Sequence, residues 1–410
     1  MDPLIALIPS GPEALIEGAG AAAACAILDR VWGDPRASVL IPRAFREQRS
    51  LNSGARRGAQ GGVYAVLRSH ALLLALLRAD GWSGQRPGSA TWLRLAVLHG
   101  LQPQEAAARF GEAVFDAHPS DVLEGLSPAA RRALLAGLPD WLAESVDDDF
   151  AASCGARAPL TVRINPRRTT RDRLMAELRD FDPVEGRLSD LALHIRGRGN
   201  LYEAPAWKRG EFEVQDEGSQ LIAELVDPEP DSVVADLCAG AGGKALAIAS
   251  LRRCRVHVHD VRSRALKQAA SRARRAGVRL HMGLPSVADR VLVDAPCTGT
   301  GTLRRDPARR WRLTLDFLEE MVRAQRELLD QAHTLLRPGG RLIYATCSVC
   351  PQENQEQVAA FLARHPEYRI VPTQDILGEK GLFVGDGQVL SLWPQTHDTD
   401  GFFGAVLKRG

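Results

Sequence analysis

Beyond about Gln215 the chain alternates strand and helix, and that alternation restricts it to a mostly parallel sheet with helices packed on its faces. The apolar runs Val233–Leu237, Arg255–His259, Arg290–Asp294, Arg341–Ala345 and Gly404–Leu407 read as strands. Ser219–Leu225, Ala245–Leu251, Ser263–Ala276 and Asp316–Leu336 carry helical spacing. The expected fold class is therefore α/β, doubly wound, over residues 215–410. Upstream the pattern differs. From residue 1 to about 150 only helix-period apolar spacing occurs, as in Val63-Tyr64-Val66-Leu67 leading to Leu72-Leu73-Leu76-Leu77 and again from Trp92 through Leu98. Turn signals at Gly33-Asp34-Pro35, Asp80-Gly81 and Gln102-Pro103 break it into several helices, so 1–150 is expected to be all-α, closing at the acidic run Asp147–Asp149. Residues 151–214 mix a strand (Leu160–Ile164), a helix (Thr170–Phe181) and the strand-like Leu191-Leu193-Ile195, a small α+β connector.

Length agrees with this division, since 410 residues exceed what one hydrophobic core usually serves. With 45% hydrophobic and 25% charged residues the composition is that of a soluble globular protein rather than a disordered one. The longest apolar stretch, Ala71 to Leu77, lies between Arg68 and Arg78, well short of the roughly 20 residues of a membrane span. The start Met1-Asp2-Pro3, with Glu13 and Glu17, lacks the basic opening of a secretory signal. Seven cysteines without framework spacing fit a reducing compartment, so a cytoplasmic protein without disulfides is expected. A net charge of +2 proves no partner, but the charges are uneven. Arg252, Arg253, Arg255, Arg262, Arg264, Lys267, Arg272, Arg274, Arg275 and Arg279 face a single acid, Asp260, and Arg304, Arg305, Arg309, Arg310 and Arg312 form a second cluster. Solvated helix faces explain the first as well as nucleic acid does.

The first strand of the alternating region ends in Asp236-Leu237-Cys238-Ala239-Gly240-Ala241-Gly242-Gly243-Lys244 and opens a helix. Glycines there let the backbone approach a ligand at the site where open α/β sheets bind cofactors. Asp260, at the end of the next strand, is placed to bond a ribose hydroxyl pair. The turn has neither G-x-G-x-x-G nor G-x-x-x-x-G-K-[ST] spacing, because Ala245 follows Lys244, which favours an adenosine without a pyrophosphate.

Two more segments, Val291-Leu292-Val293-Asp294-Ala295-Pro296-Cys297-Thr298 and Leu342-Ile343-Tyr344-Ala345-Thr346-Cys347-Ser348, each carry a cysteine just past a strand. Strand ends share one crevice in a doubly wound sheet, so both thiols and the cofactor turn are expected to converge. A thiolate adding to carbon 6 of cytosine makes an enamine whose carbon 5 attacks a sulfonium methyl. The thiolate needs support, for which Arg304, Arg305 and a helix start at Pro351-Gln352 are candidates. Asp294 is placed to hold or donate a proton at ring nitrogen 3. Cys347 and Cys350 form a C-x-x-C, but no second Cys/His pair at zinc spacing accompanies it, so no metal is expected. Cys25, Cys154, Cys238 and Cys254 read as small buried hydrophobes.

Together the Asp236–Lys244 turn, Asp294-Ala295-Pro296-Cys297 and Thr346-Cys347-Ser348 resemble the RNA cytosine-C5 methyltransferases of the RsmB/Sun type. Val214–Gln220, Gln325–Leu329, Leu336–Gly340 and His397–Phe403 resemble the family's other signatures. The resemblance covers about Leu160 to the C-terminus. It implies a Rossmann-like S-adenosylmethionine-dependent domain in which Cys347 attacks, Cys297 assists release, and Cys238, Ala239, Gly240, Ala241, Gly242, Gly243, Lys244, Asp260 and Asp294 line the S-adenosyl-L-methionine site. The N-terminal region resembles a NusB-like RNA-binding domain, which favours 16S rRNA as partner, and a monomer is expected. Three departures stand out: Ala241 replaces a usual Pro, Ala245 a usual Thr, and the short stretch from Gly283 to Asp289 has no counterpart of the adenine-side Asp. Two alternatives follow, a tRNA cytosine-C5 methyltransferase and an RNA-binding or ribosome-assembly protein that lost its activity.

Overall fold

Apolar continuity decides the centre of the large sheet. β8 (Ala288–Asp294) and β9 (Leu336–Thr346) contain Val291-Leu292-Val293 and Leu342-Ile343-Tyr344-Ala345, buried on both sides as central parallel strands must be. The computed structural model describes residues 18–79, 81, 83, 88, 119–197, 199–379, 381–382, 384 and 387–410. The sheet runs β10 (Tyr368–Val371), β12 (Phe402–Arg409), β9, β8, β5 (Val233–Asp236), β6 (Arg255–Val258), β7 (Leu280–Met282), with β11 (Leu390–Leu392) paired to β12. From β7 to β9 all pairings are parallel, while β12 is antiparallel to β9 and β10. Chain order reverses at β5, which has β6 on one side and β8 on the other. The crevice beyond the ends of those strands is the fold's binding position.

Helices Glu217–Val226 and Gly243–Leu251 fill one face of this sheet around Val234, Val256, Leu292 and Ile343. Helices Leu315–Leu335 and Gln355–Arg364 fill the other through Leu329, Ala332, Val358 and Phe361. Helix Ser263–Ala276 buries Ala269, Ala273 and Ala276, turns Arg272 and Arg275 onto buried Glu213, and stops at Gly277, whose φ of 69° and backbone bond to Ala273 O close its last turn.

A second, antiparallel sheet has the order β2 (Pro183–Glu185), β3 (Ala192–Ile195), β1 (Leu160–Ile164), β4 (Phe212–Val214). Its own core holds Val162, Leu174, Leu193 and Phe212. Buried Arg163 ties it to the larger sheet's helices by donating to Gln215 Oε1 (2.6 Å) and Ser250 Oγ (2.9 Å).

The chain divides into two units, Met1–Arg157 with Thr302–Phe317, and Ala158–Gly301 with Leu318–Gly410. In the first unit the described residues before Arg157 form helices only: Gly18–Val31, Ala37–Glu47, Ser53–Ala79, Pro119–Leu123, Pro128–Ala136, Asp140–Ser145 and Asp148–Gly155. The helix read from Trp92 through Leu98, the turn at Gln102-Pro103 and the start of the chain lie outside the described residues. Helix Ser53–Ala79 is long and apolar enough to cross a membrane by length and composition, which the Ala71–Leu77 run alone does not reveal. Its Ala59, Val63, Val66, Leu67 and Leu73 are buried in the unit's core with Ala24, Leu28 and Ile41, as in the core helix of a globular unit.

The boundary read at residue 150 falls inside a helix. Asp147 caps it by accepting from Phe150 N (2.7 Å), and Asp148 and Asp149 occupy its first turn, where carboxylates favour the helix dipole. The acidic run is a helix start, not a linker. Thr302–Phe317 joins this unit because Ala308 is buried in its core, Trp311 packs against it, and Arg310 donates to Ala136 O (2.6 Å) and Cys154 O (2.9 Å).

Candidate active site

At the reversal point three strand ends deliver three carboxylates. β5 ends at Asp236, β6 is followed by Asp260, and β8 ends at Asp294. The turn after β5 is shaped by Gly240 (φ 54°) and Gly242 (φ 81°). At Gly242 a Cβ would come within 2.9 Å of Ala269 Cβ, so glycine is demanded there by space as well as by backbone. Asp260 accepts Gly240 N–H at 2.8 Å, which fastens the turn to β6. Arg262 folds back on the same carboxylate, Nε to Oδ1 at 2.9 Å and Nη2 to Oδ2 at 3.0 Å, holding Asp260 down at about 2. Ala239 and Gly242 close the turn through backbone bonds to His259 O and from Gly242 N to Ala239 O. Cys238 and Ala239 pack partly into the two faces of the core, and burial beside Asp236 and Asp294 drives the Cys238 thiol strongly upward. Ala241 contributes its carbonyl to Arg272 Nη1 (2.8 Å), and Gly243 starts the helix.

Lys244 is buried and donates to Asp294 Oδ2 at 2.7 Å. Burial lowers its pKa, but Asp294, the Cys347 sulfur and Asp236 outweigh that and raise it overall. The same ammonium lies 5.2 Å from the Phe402 ring centre. Asp236, wholly buried and close to Asp294, is pushed up to about 8.

The two cysteines named from sequence meet. Cys297 Sγ lies 3.4 Å from Cys347 Sγ, within thiol hydrogen-bond reach. The Cys347 contact and burial raise the Cys297 pKa, so that sulfur keeps its proton at neutral pH. Lys244 and the Cys347 sulfur interact electrostatically. Arg304 and Arg305, the candidates from sequence, belong with the helical unit, and Arg304 is buried. The helix start read at Pro351-Gln352 is a three-residue 3₁₀ turn, Pro351–Glu353. The amides before it are already taken: Ser348 N by Thr346 Oγ1, Val349 N by Thr300 Oγ1 and Cys350 N by Ser348 Oγ.

Glu353 is the residue that sequence reading missed. It is fully buried and accepts from Thr298 N (2.8 Å), Gln325 Nε2 (2.9 Å), Thr298 Oγ1 and Ser348 Oγ. Gln325 also donates to Pro296 O at 3.0 Å. One carboxylate thus joins the Cys297 loop to the Cys347 loop, and Gly301 N to Cys347 O (3.0 Å) adds a backbone tie. A Cβ on Gly301 would stand 2.3 Å from Gly401 O, so the loop requires glycine to reach the His397–Phe403 segment. No periodicity marks Glu353; its neighbour Gln325 lies in one of the signatures that carried the resemblance.

These groups fit S-adenosylmethionine. A glycine turn at a helix start accommodates its backbone-hugging adenosine, and the Asp260 and Asp294 carboxylates suit a ligand with sulfonium and ammonium charges. Toward the adenine the site is bare. Gly283–Val287 links β7 to β8 without a helix or an acid, and the next carboxylate, Asp289, accepts from Val233 N and Arg337 at the start of β8, the end of the strand opposite Asp294. Asp289 is therefore no substitute for the missing acid.

This fold and carboxylate-lined crevice define a class I methyltransferase domain. The model of the family "16S rRNA methyltransferase RsmB/F" matches residues 223–408. The ribosomal RNA small subunit methyltransferase B of Thermus thermophilus is 32% identical, with 96% of this chain and 98% of that one covered. A putative methyltransferase of Mycobacterium tuberculosis is 34% identical over 85% of this chain and 79% of its own length. Among solved structures, PH0851 matches with a TM-score of 0.73 at 24% identity, covering 100% of this chain and 99% of that one. NSun6 from Pyrococcus horikoshii, solved with SFG, matches with a TM-score of 0.58 at 19% identity, covering 69% and 97%. The chain belongs to the RsmB/F family and is an S-adenosylmethionine-dependent RNA methyltransferase.

Proposed function

We propose that this enzyme methylates carbon 5 of a cytosine in 16S rRNA through a covalent bond from Cys347 to carbon 6. The observation that carries the reading is the 3.4 Å approach of Cys347 and Cys297 beside the Lys244–Asp294 pair. Bound S-adenosylmethionine, held by Cys238–Lys244, Asp260 and Asp294, supplies an electrophilic methyl. Lys244 stabilises the Cys347 thiolate while the protonated Cys297 donates to the same sulfur. As the sulfur adds to carbon 6, charge grows at ring nitrogen 3, and the Lys244–Asp294 pair holds the proton that meets it. Once carbon 5 is methylated its proton passes to solvent, the carbon 5–carbon 6 double bond re-forms, and the carbon–sulfur pair returns to the Cys347 sulfur, which the protonated Cys297 assists by hydrogen-bonding it as it leaves.

Three parts divide the work in this reading: the helical unit up to Arg157 binds RNA in the manner of a NusB-like domain, the small antiparallel sheet up to residue 214 connects, and 215–410 catalyse. The protein works in the cytoplasm as a monomer. The relative from Thermus thermophilus, named for the small ribosomal subunit and spanning both chains nearly end to end, supports the rRNA target. A tRNA target is the second reading, because phosphate contacts are not sequence-specific and the bases read are usually single-stranded in either RNA. Bisulfite sequencing of rRNA and tRNA from cells with and without the gene tests both. A cytosine in 16S rRNA that loses protection in the deletion strain is the expected result. Loss in tRNA alone would favour the second reading, and loss nowhere would leave the assembly-protein alternative.

A further inference from the structure

The edge of the large sheet opposite the crevice brings together three ligand-type side chains that no motif announces. His333 lies in the last turn of helix Leu315–Leu335, His365 directly follows helix Gln355–Arg364, and Glu367 precedes β10. Tyr368 pairs with Arg409, at the end of β12 farthest from Thr346 and the catalytic loops, which sets this cluster apart from the methyl-transfer site.

Among the described residues, His333, His365 and Glu367 each offer one ligand atom, all within 4.8 Å of one another. His333 Nδ1 is 3.7 Å and His365 Nδ1 is 3.6 Å from Glu367 Oε1. Zinc bonds of about 2.0–2.2 Å set neighbouring ligands of a tetrahedron about 3.3–3.5 Å apart, close to the two nitrogen–oxygen separations at Glu367. The imidazoles are held for it. Their rings lie 4.4 Å apart, and Phe361 packs 4.5 Å from His365.

The second nitrogen of His365 supplies an independent observation. Its Nε2 faces Asp330 Oδ1 at 3.4 Å, and Arg364 Nη2 fixes that carboxylate at 2.9 Å. A carboxylate behind an imidazole holds the proton on the far nitrogen and turns the near lone pair outward, the arrangement found behind metal-bound histidines. On the His333 side the Tyr368 hydroxyl sits 3.1 Å from Nδ1, and it must give way to a metal. Arg409, which donates to His333 O and Leu336 O, is the opposing charge nearby.

We propose that His333, His365 and Glu367 bind one Zn²⁺, with water in the fourth position. Two imidazoles and a carboxylate at tetrahedral spacing select zinc over the oxygen-seeking Mg²⁺ and Ca²⁺. The ion joins two helix ends to an edge strand and takes no part in methyl transfer.

Metal-stripped full-length protein titrated with Co²⁺ tests this, because cobalt reports its ligands. The expected result is one Co²⁺ per chain with visible d–d bands, no thiolate charge-transfer band, and displacement by Zn²⁺. His333→Ala and Glu367→Gln should each weaken binding by at least about tenfold. Cys347→Ser should leave it unchanged. Zn²⁺ should also raise the thermal midpoint of the wild type but not of the two site variants. Should His333→Ala fold poorly, the milder Glu367→Gln and His365→Gln carry the comparison. A thiolate band that vanishes in Cys347→Ser, equal binding in wild type and Glu367→Gln, or no cobalt uptake would each overturn the proposal.

Discussion

The two walls of the crevice are built differently. On the cysteine wall, buried Glu353 accepts from four donors and fastens both loops, while Gln325 and Gly301 add further ties. On the cofactor wall, Asp260 holds two backbone amides, Gly240 N and Arg262 N, and an arginine side chain that is 70% exposed, and the path from β7 to β8 carries no acid. In the proposed mechanism two sulfurs reach the same ring and a small misplacement is costly in rate, a demand that a buried network on that wall meets. The cofactor wall relies on the backbone of a glycine turn and one well-placed carboxylate.

Substitutions on each wall should therefore fail differently. Cys347→Ala is expected to lower methyl transfer by at least about 10⁴-fold. Its affinity for S-adenosylhomocysteine should match the wild type by calorimetry, and a parallel loss would mean the two walls are not separable. Glu353→Ala leaves buried donors without a partner and should cost about 3 kcal/mol of stability in urea unfolding. A change below about 1 kcal/mol would show that the network does not fasten the loops. Asp260→Ala should weaken S-adenosylhomocysteine binding by about 10- to 100-fold and cost less stability than Glu353→Ala. Unchanged affinity would remove Asp260 from the cofactor site.

The remaining contrast concerns Asp236, where the walls meet, and is read as a slope with pH rather than as a single loss. Its carboxyl ionises at about 8 in the fold and near about 3.9 in an unfolded chain. Its contribution to stability is complete below about pH 4 and is lost as pH rises to about 8, by at most about 1.4 kcal/mol per unit. Asp236→Asn should flatten the wild-type decline across that window in chemical unfolding at several pH values. Identical slopes would mean Asp236 ionises normally.

Much of the fold was legible because long buried strands such as β8 and β9 carry continuous apolar runs, and Ser263–Ala276 shows a clean helical face. The strands that escaped notice, among them β2, β4, β7 and β11, have three residues each, too few for a period, and exist through their partners. The association of Thr302–Phe317 with the helical unit depends on packing of Ala308 and Arg310 that no local pattern encodes. At the site, Cys297, Cys347 and Asp294 could be named because strand topology dictates where their loops emerge. Lys244 gives no reason in sequence to prefer burial over solvent until Asp294 is found beside it, and Glu353 stands in no pattern that marks it.

The most direct test uses RNA carrying 5-fluorocytosine at the target position, because fluorine cannot leave carbon 5 as a proton and the covalent intermediate persists. Wild type and Cys297→Ala should each give an RNA–protein adduct on a denaturing gel in the presence of S-adenosylmethionine, and Cys347→Ala should give none. An adduct that survives in Cys347→Ala and disappears in Cys297→Ala would contradict the assignment of the attacking sulfur.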